Sequence, residues 1–131
     1  VAKFLLNQEA IDKYLTHFKK EIEERLQRIH KGLMGLKEEG LPVDAIAPEA
    51  AIYLTINIPA AGKSTAMGTV LATQSDVTAY LLNEAKLALV PFSAFGAPSN
   101  SSWYRLSVGT CKKEEIDVMI EKLGTALRNL K

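Results

Sequence analysis

The amino-acid sequence predicts an α+β domain: one long helix, then a strand–helix–strand–strand–helix unit whose small sheet is covered by helices. Three observations predict it. Apolar residues recur at three- and four-residue steps from Ile11 to Leu36, alternate singly from Ile52 to Ile58, and return to helical spacing from Ile116 to Leu127. The first and last patterns bury one stripe of a 3.6-residue repeat, and the middle one buries one side of a pleated strand. The chain has 131 residues, 47% hydrophobic and 24% charged, which suits a single domain over 1–131. At that length folding removes roughly two thirds of the unfolded surface from water.

The first element fills residues 1–40. Asn7 is placed to cap a helix, and Ile11, Leu15, Phe18, Ile22, Leu26, Ile29, Leu33 and Leu36 form its apolar stripe. Gly40-Leu41-Pro42 is a stop signal. Lys19, Lys20, Glu23, Glu24, Arg25 and Lys31 describe a solvated face. A stripe so long and narrow suits a helix that bridges two packing surfaces, with Ile11, Leu15 and Phe18 left uncovered in this chain. A coiled-coil seam would have the same spacing.

The small-sheet unit occupies residues 51–131. Ile52, Leu54, Ile56 and Ile58 alternate with Tyr53, Thr55 and Asn57, as in a half-buried strand. Residues 59–68 are small and turn-forming and read as a loop. Thr73-Gln74-Ser75-Asp76 can cap a helix with Val77, Tyr80 and Leu81 inside. Residues 87–90 read as a short strand ending at Pro91, residues 93–102 as a loop, and residues 103–108 as a further strand. Thr110 is placed to cap the last helix, with Glu114 and Glu115 in its first turn and Ile116, Met119, Ile120, Leu123 and Leu127 buried.

Composition excludes several functions. The 16 basic and 15 acidic residues leave a net charge of +1, so no overall field draws nucleic acid or an anionic membrane. The apolar run 87–95 is far too short to span a bilayer, and no signal core is present. The single cysteine, Cys111, has no internal disulfide partner, and no cysteine–histidine group has metal spacing. A cytoplasmic location follows as the expectation. The chain opens on Val1 with an amphipathic pattern starting almost at once, which reads as a piece of something longer.

Four features invite a chemical reading. Gly62-Lys63-Ser64-Thr65 follows a strand, as a phosphate-binding loop would. The glycine expected five residues before Gly62 is Asn57, Pro59 removes a backbone donor, and no magnesium-binding aspartate strand follows; a polar surface loop is the better account. His17 and His30 have no serine or cysteine partner, and Cys111, alone at a helix start, reads as structural. Arg105 is more informative. In the strand 103–108 it shares a face with Trp103 and Ser107, opposite Tyr104, Leu106 and Val108. It is a plain surface residue unless it faces a cleft, where its planar fork suits bidentate capture of a carboxylate.

In chain order, Leu81-Leu82-Asn83-Glu84-Ala85, Leu87-Ala88-Leu89-Val90-Pro91, Ser93-Ala94-Phe95-Gly96 and Tyr104-Arg105-Leu106-Ser107 resemble the C-terminal part of the class I/II, fold-type I, pyridoxal-phosphate-dependent aminotransferases. The strand Ala51-Ile52-Tyr53-Leu54 and the long first helix resemble the family's aromatic-containing strand and the helix joining its large and small domains. The chain departs from the pattern at Phe92, where the family usually has glycine, and over residues 59–73, which exceed the usual connection.

The resemblance implies a C-terminal small domain that clamps substrate, with Arg105 binding the α-carboxylate of an amino acid or 2-keto acid. It implies pyridoxal phosphate in a full-length parent, held by the large domain of the same polypeptide in a homodimer. No lysine here has the Schiff-base context, so the resemblance implies no catalytic residue, no bound cofactor and no activity in this chain alone. A competing reading is a free-standing α+β interaction or regulatory module that dimerises through the long helix.

Overall fold

The computed structural model describes residues 1–131, except for the side chains of Ala2 and Phe4. A short helix α1 (Ala2–Leu5) precedes α2 (Gln8–Glu38). Asn7 caps α2, its side-chain oxygen accepting from the Ala10 N–H at 3.1 Å. At the far end the Leu41 N–H reaches the Leu36 carbonyl at 3.2 Å and the Gly40 N–H the Lys37 carbonyl at 2.9 Å. That paired closure needs a left-handed residue, and Gly40 supplies it at φ +86°.

Only the second half of the α2 stripe enters the core. Ile22, Leu26, Ile29, Leu33 and Leu36 are buried, whereas Leu15 and Phe18 are each 39% exposed. The buried half lies on the molecule's own sheet and helices rather than on a self-association seam.

After α2 come β1 (Asp44–Ala45), β2 (Tyr53–Asn57), α3 (Gln74–Glu84), β3 (Val90–Pro91), a 3-10 turn (Phe92–Phe95), β4 (Trp103–Ser107), a second 3-10 turn (Lys113–Glu115) and α4 (Ile116–Arg128). The four strands form one sheet in the order β1-β2-β4-β3, antiparallel at every pairing. One face supplies Leu54, Ile56, Tyr104 and Leu106 to the core, against Val77 and Leu81 of α3 and Ile116, Leu123 and Leu127 of α4. Thr73 and Asp76 cap α3 reciprocally, and the Tyr80 hydroxyl donates to the Ala126 carbonyl at 2.8 Å, tying α3 to α4. The helices α2 and α4 approach closely at a glycine on each: a Cβ on Gly32 would lie 2.7 Å from Ile120, and one on Gly124 2.8 Å from Leu36.

Three local expectations are corrected. Residues 44–45, which fall in neither expected unit, pair with β2. The expected strand 87–90 contributes only Val90–Pro91 to the sheet; Leu87 and Leu89 still turn inward, but ahead of Val90 the backbone makes no pairing with β4. Thr110 does not cap the last helix. The chain enters α4 through the Lys113–Glu115 turn, where the Glu115 carboxylate accepts the Lys112 N–H at 3.4 Å. That bond closes the start of the turn and leaves α4 itself without a side-chain cap, and Lys113 pins the turn to α2 by donating to Glu21 at 2.8 Å and to Glu24.

No helix among the described residues is long and apolar enough to cross a membrane.

Candidate functional site

The register of the sheet collects one set of side chains on the face turned away from the helices. Thr55 of β2 stands opposite Arg105 of β4, Asn57 opposite Trp103, and Tyr53 opposite Ser107. Val90 of β3 flanks Arg105 on the other side. Directly opposite residues in an antiparallel pair point the same way, so these seven share one surface. Arg105 sits at its centre, on a strand paired along both edges, as the alternation of residues 103–108 indicated.

Its guanidinium carbon lies 4.4 Å from the centroid of the Tyr53 ring and 4.4 Å from that of Phe95. Arg105 is half-buried. Among the described residues no ion pair or hydrogen bond engages its guanidinium. A cation held by aromatic faces, with no carboxylate spent on it, is suited to receive an anion from outside. Nearby, the Asn57 side-chain oxygen is buried without a hydrogen-bond donor among the described residues.

Phe95 reaches Arg105 because its turn is anchored. Gln74, at the start of α3 and only 7% exposed, accepts from the Ser93 hydroxyl at 2.8 Å. Its amide nitrogen donates to the carbonyls of Ser101 and Trp103. Gly96, at φ +90°, then closes the turn. Sequence reasoning missed Gln74 as a positioning group. It falls inside Thr73-Gln74-Ser75-Asp76, where the capping pattern already accounts for the polar residues. Under the site Tyr104 is fully buried, and that burial pushes its phenol above the ordinary value.

The other sequence candidates lie elsewhere. In the segment Gly62-Lys63-Ser64-Thr65 all four backbone N–H groups are used internally. They donate to the carbonyls of Leu71 at 2.7 Å, Ala60 at 3.2 Å, Lys131 at 3.0 Å and Thr69 at 2.8 Å. A phosphate cradle needs those donors free, so this segment is a small hairpin and not a nucleotide site. His17 is exposed and His30 half-buried on α2, on the helical side of the sheet. Burial raises the Cys111 thiol, the reverse of activation. No group of three His, Cys, Asp or Glu among the described residues could hold a metal ion.

Comparison with known proteins places the chain in a family. The family model for aminotransferase class I and II matches residues 1–123. The chain belongs to this family. An aspartate aminotransferase of Rhizobium meliloti is 35% identical over 118 residues, covering 86% of this chain and 27% of the relative. A probable aspartate/prephenate aminotransferase of Rickettsia conorii is 40% identical over 68 residues, covering 51% of this chain and 16% of the relative.

Among solved structures, the Rhizobium meliloti aspartate aminotransferase superposes with a TM-score of 0.75 at 29% identity, covering 98% of this chain and 30% of that one. The aromatic aminotransferase of Pyrococcus horikoshii gives 0.72 at 26% identity, covering 97% and 30%. The chain therefore spans about three tenths of the length of the solved relatives it matches over nearly all its residues.

Proposed function

We propose that these 131 residues are the C-terminal small domain of a pyridoxal-phosphate-dependent aminotransferase, and that Arg105 holds the α-carboxylate of its amino-acid or 2-keto-acid substrate. The observation that carries the proposal is the cation at the centre of the outer sheet face, held by two aromatic rings and engaged by no ion pair or hydrogen bond among the described residues. The family match and the coverage of about three tenths of the solved relatives support it.

When bound, pyridoxal phosphate supplies the electron sink for chemistry at the substrate α-carbon. The side chains around Arg105 do not themselves fit that cofactor. Tyr53, Thr55, Asn57, Val90, Trp103 and Ser107 offer no amine for a Schiff base. In this reading the reactive lysine belongs to the large domain of the same polypeptide, and this chain alone does not transaminate. Its own task is to orient: a planar fork makes two parallel hydrogen bonds to a carboxylate and so fixes rotation as well as position.

The open half of α2 has a matching role. Leu15, Phe18 and Ile22 line a groove of about 580 Å³ with Ile52. We assign it to contact with the large domain, in an enzyme that works as a cytoplasmic homodimer. The same stripe would serve a free-standing dimerisation module. The family match favours the enzyme, because it runs through the stripe as well as the sheet.

The test is kcat/KM of the Arg105→Ala variant of the full-length enzyme. Stranding one partner of a desolvated charge pair costs roughly 2–5 kcal/mol, a fall of about 30- to several-thousand-fold. Arg105→Lys should recover only part of it, since a point charge cannot make the paired bonds. Unchanged activity with a lowered melting temperature would make Arg105 structural and end the proposal.

A further inference from the structure

We propose that Tyr53 and Phe95 are positioning residues that hold the Arg105 guanidinium in its receiving geometry while leaving every one of its donors free. This rests on the reading of Arg105 as the carboxylate holder. A guanidinium has two kinds of surface. Its flat faces accept no hydrogen bond, and its rim carries five N–H donors in one plane. A neighbouring carboxylate would fix the group by consuming the rim and cancelling the charge. Aromatic rings fix it through the faces and spend neither.

The structure takes the second course, with ring centroids from two separate elements each 4.4 Å from the guanidinium carbon. No acidic side chain lies in register beside Arg105, whose cross-strand neighbours are Thr55 and Val90.

Core packing does not account for the rings. Phe95 is 55% exposed and Tyr53 40% exposed, so hydrophobic burial alone gives no reason to place them there. Phe95 is nonetheless held firmly. Phe92 packs edge-on to it at 6.4 Å, and the Ser93 hydroxyl is bonded to the buried Gln74. Tyr53 is set by the β2–β4 register, opposite Ser107 and two residues along β4 from Arg105. Each ring thus arrives on backbone that is fixed independently of Arg105. The bracket exists before substrate does, and the ordering of a long flexible side chain is met on folding instead of on binding.

The experiment has two readouts. In the 131-residue chain, the NMR shifts of the Arg105 Hδ and Nε–Hε protons should show ring-current displacement, reduced by Phe95→Leu and by Tyr53→Leu and kept by Tyr53→Phe. In the full-length enzyme, with L-aspartate and L-phenylalanine as amino donors, each leucine variant should raise KM about three- to thirtyfold, the range of a partly to well desolvated cation–π contact. The turnover number kcat should stay within about twofold, because orientation of the carboxylate is shared by ground and transition states.

Tyr53→Phe should match the wild type. In an Arg105→Ala background the further loss from Phe95→Leu should vanish, because the ring acts only through the guanidinium. Random-coil Arg105 shifts, or an unchanged KM in both leucine variants while Arg105→Ala is crippled, would overturn the bracket and leave the carboxylate reading standing. An equal loss from Phe95→Leu with and without Arg105 would overturn it too. Full activity in Arg105→Ala would remove both readings together.

Discussion

Replacing Gln74 by leucine tests whether one buried amide sets the position of the Arg105 surroundings. The side chain is 7% exposed and bonded at both ends, from the Ser93 hydroxyl and to the carbonyls of Ser101 and Trp103. Leucine nearly conserves the volume, so no cavity opens. What changes is that a hydroxyl and two carbonyls lose their partner. The Trp103 contact is long at 3.5 Å and adds little. The other two, left unsatisfied in half-buried surroundings, cost about 1–3 kcal/mol together.

A chain of 131 residues unfolds with an entropy of about 0.28 kcal/mol/K, so the melting temperature should fall by about 4–11 °C. Urea titration followed by circular dichroism gives the same quantity isothermally. Trp103 is the single tryptophan, and its emission reports the start of β4, where its carbonyl meets Gln74. Gln74→Glu is the control. It keeps the shape but sets a carboxylate against two carbonyl oxygens, so the folded state raises the pKa of the introduced acid. Stability is then complete below the unfolded carboxylate range and lost as pH rises from there through the raised folded value. Were Gln74→Leu to stay within about 0.5 kcal/mol of wild type with unchanged Trp103 emission, the amide would not be anchoring the Phe92–Phe95 turn.

Two further outcomes follow from the packing and the charges. Gly35→Ala puts a methyl into open space in the last turn of α2 and should raise stability by up to about 1 kcal/mol, whereas Gly32→Ala must displace Ile120 and should fall clearly below it in urea denaturation; equal stabilities would refute the close approach of α2 and α4. Glu21 is held below its usual range by the hydrogen bond from Lys113, Asp44 by that from Lys37, and Asp76 by that from the Thr73 side chain. Their contribution is complete above the unfolded carboxylate range and lost as pH falls through the folded values. The urea midpoint should therefore drop below about pH 4, with a shallower drop in Lys113→Met; a midpoint that climbs on acidification would contradict the assignment.

The parts of the fold that were legible in the sequence are those whose causes are local. The alternation from Ile52 to Ile58 and the α2 stripe state their faces outright, and Asn7 and Thr73 cap their helices through side chains three residues or fewer from their partners. The face of Arg105 was readable for the same reason. What escaped depends on distant pairing. Two residues of β1 carry no periodicity, and Val90–Pro91 is a strand only because β4 lies beside it. Ser64 of the hairpin and the distant Lys131 exchange backbone bonds, which no window of sequence can show. Thr110 misled because it obeys a capping rule, whereas a 3-10 turn intervenes and the chain enters α4 with no side-chain cap. The ring of Phe95 over Arg105 could not be read from alternation, since it arrives from a turn and not a strand.

The half-covered α2 also gives the domain a lever. The helix runs 31 residues from Gln8 to Glu38, a rod of about 46 Å at 1.5 Å per residue. Its core-bound part begins at Ile22, so about 21 Å of rod projects beyond the fulcrum. A tilt of the sheet by about five degrees would swing the Gln8 end through about 2 Å, a displacement fixed by rod length alone. The part of α2 ahead of Ile22 thus carries any rotation of the sheet outward, in proportion to its length.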